Sequence, residues 1–139
     1  MSATVPPGGD VGGVLASWAA TTPSAAALTW VPFEGPPVSW TYAALRHDVL
    51  RLAAGLAHRG VRAGDPVALV MPNCPDVVLA WAALLHLGAV AVCADPRSSA
   101  AELGYLLDHS GAVGAIVDPV SAAVAREGLD RLAWVVEST

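Results

Sequence analysis

The sequence predicts an α/β fold in which a Rossmann-like parallel sheet is flanked by helices. Three observations lead to this prediction. From residue 66 onward, short apolar runs alternate with longer helical segments. The loops between them are short, as they are in consecutive strand–helix units. The apolar runs are nearly continuous, which is typical of strands that are buried on both faces of a parallel sheet.

The segment that precedes the sheet predicts a helix and a hairpin. Residues 1–10 are rich in Pro and Gly and are expected to be a disordered N-terminus, followed by a single α/β domain over residues 11–139. Residues 11–21 predict a short helix that stops before a proline. Two extended runs, at residues 27–31 and 38–41, flank a turn rich in Gly and Pro and predict a β-hairpin.

The next element is an amphipathic helix with signals at both ends. Thr41 is a predicted N-cap, because its hydroxyl can accept from a free backbone N–H of the first turn. Apolar side chains then recur at helical spacing, namely Leu45, Val49, Leu52 and Leu56. Gly60 is expected to end the helix in the left-handed conformation. Residues 66–71 follow as a buried strand.

Residues 77–94 contain no charged side chain over 18 positions and come close to a membrane span, which needs about 20 apolar residues. Gly88 interrupts this run, and a β-rich stretch of alternating Ala and Val follows the glycine. The segment therefore predicts a buried helix over residues 76–87 and a strand over residues 89–93. No membrane span is expected.

The C-terminal third completes the alternation of strands and helices. A Ser-Ala-Ala-Glu capping box begins a helix over residues 99–108. Residues 112–117 predict a strand, residues 119–127 a helix with proline in its first turn, and residues 133–137 a last strand. That strand is expected to lie at a free edge if no further chain pairs with it.

The composition limits the classes of partner. Charged residues make up 14% of the chain and hydrophobic residues 55%, against roughly 25% and 45–50% in ordinary domains. Two interpretations of this low charge stay open. In the first, a partner or missing chain covers an apolar surface, and the isolated chain self-associates through it. In the second, the composition reflects the alanine-rich bias of a high-GC genome. The net charge of −5 and the spacing of the seven arginines argue against nucleic acid as a partner. The chain has no lysine.

The two cysteines and the start of the chain bear on its compartment. Cys74 and Cys93 have no CxxC spacing and no neighbouring histidine, which argues against a zinc site or a disulfide framework. They are expected to be small buried hydrophobic residues in a reducing cytosol. The first residues lack the basic and apolar regions of a signal peptide, so a cytoplasmic location is expected.

A family resemblance extends over about 75 residues, Trp40 to Gly114, and five motifs carry most of it. They are S-W-T-Y-A-A-L at 39–45, G-D-P-V-A-L at 64–69, M-P-N-C-P-D at 71–76, L-L-H-L-G-A-V at 84–90 and D-P-R with E-L at 95–103. In order and spacing they resemble the N-terminal part of the adenylate-forming enzymes, the AMP-dependent synthetase/ligase and acyl-CoA synthetase family. The family usually has Pro at Cys93 and Lys or Ala near His86 and Leu87, so the chain resembles a divergent member.

The resemblance implies an acid–thiol ligase. Such enzymes join a carboxylate to ATP as an acyl-adenylate and pass the acyl group to coenzyme A or a carrier protein. In the family, a Ser/Thr/Gly-rich loop ending in Lys holds the phosphates, an acidic residue binds the ribose and a C-terminal lysine contacts the transition state. No such loop is found here, and the glycines of residues 8–13 precede any strand, which is the wrong context for a phosphate cradle.

The prediction is therefore an incomplete ligase-like protein that is inactive alone, either truncated or one half of a split enzyme. No catalytic, cofactor-binding or metal-binding residue is assigned to the chain. ATP with Mg²⁺, and coenzyme A or a carrier protein, are expected only for a complete enzyme. The alternative is a non-catalytic module that docks on a ligase, carrier protein or synthase. An unrelated nucleotide-binding α/β domain is a third hypothesis, and the missing glycine fingerprint argues against it.

Other polar residues have structural as well as catalytic interpretations, and the structural ones are favoured. The pair His47–Asp48 is expected on a solvated helix face, and His58 near the negative end of the same helix. His86 is expected to be partly buried, and Asp108–His109 to act like a helix cap. The thiol of Cys74 has no neighbouring cation that would activate it.

Overall fold

A computed structural model describes residues 10–138, so residues 1–9, predicted to be disordered, lie outside the described residues. The helices are α1 (Val11–Thr21), α2 (Tyr42–His58), α3 (Pro75–His86), α4 (Ala100–Ser110) and α5 (Pro119–Leu129). The strands are β1 (Ala26–Trp30), β2 (Val38–Thr41), β3 (Pro66–Val70), β4 (Val90–Ala94), β5 (Gly114–Val117) and β6 (Trp134–Glu137). Every predicted element is present, with ends shifted by no more than two residues. The α/β class is therefore confirmed.

The main sheet has four parallel strands in the order β4-β3-β5-β6. The chain enters at β3, adds β4 on one side, and then crosses to the other side to add β5 and β6. Right-handed crossovers that change direction place their helices on opposite faces of the sheet. Accordingly, α3 packs with α2 on one face, and α4 packs with α5 on the other.

The sheet separates two apolar cores, because successive residues of a strand point to opposite faces. Val67 and Leu69 of β3 face the α2–α3 layer, while Ala68 and Val70 face the α4–α5 layer. All four side chains are at most 1% exposed. Leu56 of α2 and Leu84 of α3 complete the first core, and Leu103 and Leu107 of α4 complete the second.

The hairpin and α1 form an outer layer on α2. Strands β1 and β2 pair antiparallel, which confirms the predicted hairpin. The rings of Trp18 and Tyr42 stack at 5.8 Å, and Trp40 Nε1 donates a hydrogen bond of 3.3 Å to Asp48 Oδ2. The prediction that Asp48 belongs to a solvated helix face is therefore wrong, because the hairpin lies over this side chain and half-buries it.

The predicted helix-end signals at Thr41, Ser99 and Gly88 are confirmed. Thr41 Oγ1 accepts from Ala44 N at 3.2 Å, and Ser99 and Glu102 form both bonds of the capping box. Gly88 has φ of 71°, which ends α3 and divides the apolar run of residues 77–94 between α3 and β4. Within residues 10–138, no helix combines the length and apolarity needed to cross a bilayer.

Three further burial predictions are wrong. Cys93 is exposed and Cys74 is half-buried, although both were expected to be buried. Cys93 lies on β4, which pairs only with β3 in the described chain, so its outer side lacks a neighbouring strand. His86 was expected to be partly buried, but it is the last residue of α3 and is exposed.

Large apolar side chains are exposed at several places in the described chain: Val11, Trp18, Val31, Phe33, Val38, Trp81, Val90, Tyr105, Val120 and Val135. Phe33, in the turn of the hairpin, is fully exposed, and Val120 at the start of α5 is 74% exposed. Val31, Phe33 and Val38 lie together at the hairpin turn, and the others are distributed over the helices and the sheet. They therefore form several candidate contact points.

Candidate functional site

The strand order points to one edge of the sheet as the candidate site. In open parallel sheets, ligands bind outside the carboxyl ends of the strands, at the point where the strand order reverses. Here the reversal lies between β3 and β5. The residues that follow these two strands, the loop at residues 71–74 and Asp118, therefore border the candidate crevice.

Asp118, directly after β5, is occupied as the N-cap of α5. Its Oδ2 accepts from Val120 N at 2.9 Å and from Ser121 N at 3.2 Å, and its Oδ1 accepts from the Ser121 hydroxyl. Partial burial raises the pKa of Asp118, but the hydrogen bonds from Ser121 and Val120 outweigh this effect and leave its pKa below the ordinary value. The carboxylate is therefore ionised and used within its own helix end.

Asp95, directly after β4, is occupied in the same way. Its carboxylate accepts from Arg97 Nε at 3.0 Å, from the Arg97 guanidinium NH2 group at 2.8 Å and from Arg97 N at 2.8 Å. The side-chain hydrogen bond from Arg97 is the main reason why the pKa of Asp95 falls to about 2. Arg97 is the one arginine that immediately follows a strand of this edge, and its charge is balanced by Asp95.

The loop after β3 contributes little charge. Met71 is buried beneath it, and Asn73 is exposed. Cys74 is the N-cap residue of α3 without a side-chain hydrogen bond to the helix, and Pro75 takes the first helical position. The expectation that Cys74 is not an activated nucleophile remains a prediction.

Beside this edge, a shallow cleft of about 200 Å³ opens between the α2–α3 layer and the ends of β5 and β6. Its apolar lining comes from Leu52, Leu79, Ala80, Ile116 and Val136. Its charged groups are the carboxylates of Asp76 and Glu137. The cleft is smaller than the roughly 300–1,000 Å³ of ordinary ligand pockets.

The chemistry of this edge does not suit a phosphate. Phosphates bind where cations or several free backbone N–H groups converge. Here the carboxylates outnumber the cations, and two of them are already bound within their own loops. In the part of the chain that the structure describes, no three His, Cys, Asp or Glu side chains converge as a metal site would require.

The structure places the other weighed polar residues apart from this edge. His47 and His58 are exposed on α2, and the ring of His109 stacks on Tyr105 at 5.7 Å. The expected cap-like role of Asp108 is wrong, because α4 continues to Ser110. Gly111, with φ of 67°, ends the helix, as the Ser-Gly pair at residues 110–111 predicts.

Asp108 instead pairs with Arg131, whose Nη1 also donates to the carbonyl oxygen of Gly104 at 3.1 Å. This interaction holds the turn before β6 against α4. Sequence reasoning missed it because the two residues are 23 positions apart. No local pattern in the sequence relates them.

Known proteins share this fold and parts of this sequence. The sequence profile of the AMP-binding enzyme family matches residues 15–138. A naringenin synthase of Pestalotiopsis fici is 41% identical over 104 residues, which cover 71% of this chain and 4% of that protein. A crotonobetaine/carnitine–CoA ligase of Salmonella typhi is 33% identical over 84 residues, which cover 60% of this chain and 16% of that protein.

Among solved structures, a fatty acyl CoA synthetase of Mycobacterium tuberculosis superposes with a TM-score of 0.83 at 27% identity. The match covers 93% of this chain and 26% of that one. The N-terminal subdomain of Klebsiella oxytoca NpsA, solved with anthranilyl-AMSN, superposes with a TM-score of 0.75 at 26% identity over 93% of this chain. The chain therefore spans a small fraction of the relatives that it matches.

Proposed function

The chain belongs to the AMP-binding enzyme family, and we propose that it is the N-terminal part of a carboxylate-activating ligase that is inactive by itself. The observation that carries the proposal is the charge of the sheet's carboxyl edge. That edge presents Asp76, Asp95, Asp118 and Glu137 against a single arginine, Arg97. The sequence contains no lysine.

Adenylate formation needs the opposite electrostatics. Phosphoryl and adenylyl transfer spread negative charge over phosphate oxygens, and catalysis depends on cations and N–H groups that already face this charge. A carboxylate-lined cleft disfavours such a transition state. We therefore assign the phosphate loop, the catalytic lysine and the binding of ATP with Mg²⁺ to a complementary ligase segment. Coenzyme A or a carrier protein would be the thiol acceptor of the assembled enzyme, and we place this assembly in the cytoplasm.

The surface around β6 supports docking of such a segment. β6 pairs with β5 on one side, and its other edge has no strand partner among residues 10–138. Val135 on this strand is 38% exposed, and the cleft formed by Leu79, Ile116 and Val136 opens next to it. Free strand edges flanked by apolar surface are ready to pair with another strand. A segment that adds a strand at β6 would bury both features.

The test is ATP–pyrophosphate exchange with the full 139-residue chain and a separately expressed ligase segment that carries the phosphate loop and lysine. A panel of fatty, aryl and amino acids serves as substrate. We expect no exchange from either part alone and exchange upon mixing. Exchange by the 139-residue chain alone would refute the proposal, and so would failure of the two parts to associate.

A matched pair of variants locates the docking surface. Val135→Asp puts a charge on the free edge of β6 and is expected to abolish exchange on mixing. Val31→Asp makes the same change at an exposed position near the hairpin turn and is expected to leave exchange unchanged. Equal effects of the two variants would show that β6 is not the contact.

The second candidate is a non-catalytic module that docks on a ligase, carrier protein or synthase. It is favoured by the exposed apolar side chains that lie far from β6, of which Phe33 is fully exposed. A quantitative pull-down of the tagged chain from its native cells separates the two. Near one-to-one recovery of a protein with the phosphate loop supports the ligase, and recovery of only a carrier protein or synthase supports the module.

A further inference from the structure

The outer face of α2 concentrates the positive charge of an otherwise acidic chain. Residues 42–62 hold four of the seven arginines and two of the four histidines, with Asp48 as the single carboxylate. The exposed basic side chains on and just after α2 are Arg46, His47, Arg51, His58, Arg59 and Arg62. The net charge of the whole chain is −5, so this face is locally opposite in sign to the rest of the protein.

These basic groups are not neutralised within the chain. Among residues 10–138, the ion pairs are Arg97–Asp95 and Arg131–Asp108, and neither involves α2. Asp48, the one carboxylate of the helix, is half-buried and accepts from Trp40 Nε1. His47, Arg51 and His58 lie on one side of the helix and extend over about 16 Å at 1.5 Å per residue.

A groove with small side chains borders this basic face. It lies between α1 and α2 and encloses about 430 Å³. Ala16, Ala19 and Ala20 of α1 and Ala43 and Leu50 of α2 line the groove, and Arg46 and His47 form its basic side. Alanine side chains allow another helix to approach closely, because the distance between packed helices depends on the side chains at the contact.

We propose that this groove and the basic face of α2 dock an acidic amphipathic helix of a partner protein. The apolar side of that helix lies over the alanines, and its carboxylates face Arg46, His47 and Arg51. Helices commonly bind in apolar grooves through one face, and complementary charge sets their orientation and speeds their association. This surface is on the opposite side of the α2–α3 layer from the sheet, so it is separate from the β6 edge.

A protein helix fits this surface better than a membrane does. Binding at a bilayer surface relies on large apolar side chains that insert beside the basic groups. Among the described residues, α2 exposes no large apolar side chain. Of the two that α1 exposes, Val11 and Trp18, the ring of Trp18 is stacked on Tyr42 rather than free to insert. The surface next to the basic face is concave and lined with alanine, which suits a protruding partner.

The test measures fluorescence anisotropy of a labelled helical peptide of about 20 residues, made of Ala, Leu and Glu with the glutamates on one face, against the full 139-residue chain. A scrambled peptide of the same composition has the same charge without the amphipathic pattern. We expect binding of the helical peptide to weaken as salt shortens the Debye length from about 10 Å at 0.1 M to about 3 Å at 1 M. The scrambled peptide is expected to bind at least about tenfold more weakly.

Charge-reversal variants test whether the peptide binds at the basic face of α2. Arg46→Glu with Arg51→Glu is expected to weaken binding by about tenfold or more, and Arg51→Glu alone by about threefold or more. Arg126→Glu places the same single charge reversal as Arg51→Glu on α5 and is expected to change binding less than about twofold. Far-ultraviolet circular dichroism confirms that each variant is folded. If the double variant does not fold, Arg51→Gln replaces it, with an expected loss of about threefold.

Three results would overturn the proposal. The first is no binding of the helical peptide, and the second is equal binding of the two peptides, which would show unspecific attraction of acidic chains. The third is tighter binding to vesicles that contain phosphatidylserine than to the peptide, together with a weakening of vesicle binding by Arg46→Glu with Arg51→Glu. That last result would assign the basic face to an anionic membrane surface instead.

Discussion

The contact between Gly114 and Trp134 makes Gly114→Ala a direct test of how β5 and β6 pack. The two residues are partners in the parallel register, and the indole ring lies over the glycine. A Cβ at Gly114 would overlap with Cε2, Cδ2 and Cζ2 of the Trp134 ring. A rigid ring cannot yield by compression, so the indole must turn away from the first core, against which it packs.

The expected change in unfolding free energy is the difference between two opposing effects. Forcing a methyl group into a packed site costs roughly 1–3 kcal/mol, and replacing Gly with Ala in a regular element returns roughly 0.5–1 kcal/mol. Because the added Cβ would meet a rigid ring, we take the upper half of the first range, roughly 2–3 kcal/mol, and the net expected loss is about 1–2 kcal/mol of unfolding free energy. With an unfolding entropy of about 2.1 cal/mol/K per residue, the Tm is expected to fall by about 3–7 °C.

The assay is equilibrium unfolding in urea, followed by circular dichroism and tryptophan fluorescence. Gly55→Ala is the matched control: it makes the same change in α2, where no atom lies within 4 Å, and it is expected to raise stability by about 0.5–1 kcal/mol. Trp134→Ala removes the ring, and in that background Gly114→Ala is expected to cost nothing. A cost that persists without the indole, or a Gly114→Ala variant as stable as Gly55→Ala, would refute the reasoning.

Three further predictions concern helix ends and packing. Asp118→Ala is expected to destabilise the fold by about 1 kcal/mol at pH 7. Since the pKa of Asp118 is lowered from 3.8, the deficit should shrink as urea-unfolding experiments are moved below that pH; a constant deficit would contradict the cap. Gly128→Ala is expected to cost about 1–2 kcal/mol, because its Cβ would lie 2.9 Å from the carbonyl oxygen of Ala100, and an unchanged urea midpoint would contradict this. Ser99→Ala should lower the Tm by about 3 °C by removing the Glu102 capping box, whereas an unchanged Tm would show that the box is dispensable.

The sequence predicted the helix starts and the break at Gly88 correctly where they depend on residues close together in the chain. The helix starts at Thr41 and Ser99 follow from side chains that bond to backbone groups three residues away. The break at Gly88 follows from a positive φ that glycine adopts readily. The motifs that carry the family resemblance are also contiguous stretches, and the family match over residues 15–138 confirms the resemblance.

The candidate site was less predictable, because its properties depend on residues that are distant in sequence. Asp95 and Asp118 reach the same sheet edge only after β3, β4 and β5 have paired. The pairing of Asp108 with Arg131 and the bond between Trp40 and Asp48 likewise depend on packing between separate elements.

By itself, the sequence determined the order and type of the elements and the helix caps, since these depend on interactions within about one helical turn or along one strand. It also determined the family resemblance, which is carried by short contiguous motifs. Only the tertiary structure decided the central position of β3, the exposure of Cys93 on the edge strand β4, and the groove beside the basic face of α2. These features arise when distant segments pack together. The free energy of such packing depends on complementary surfaces that no local pattern encodes.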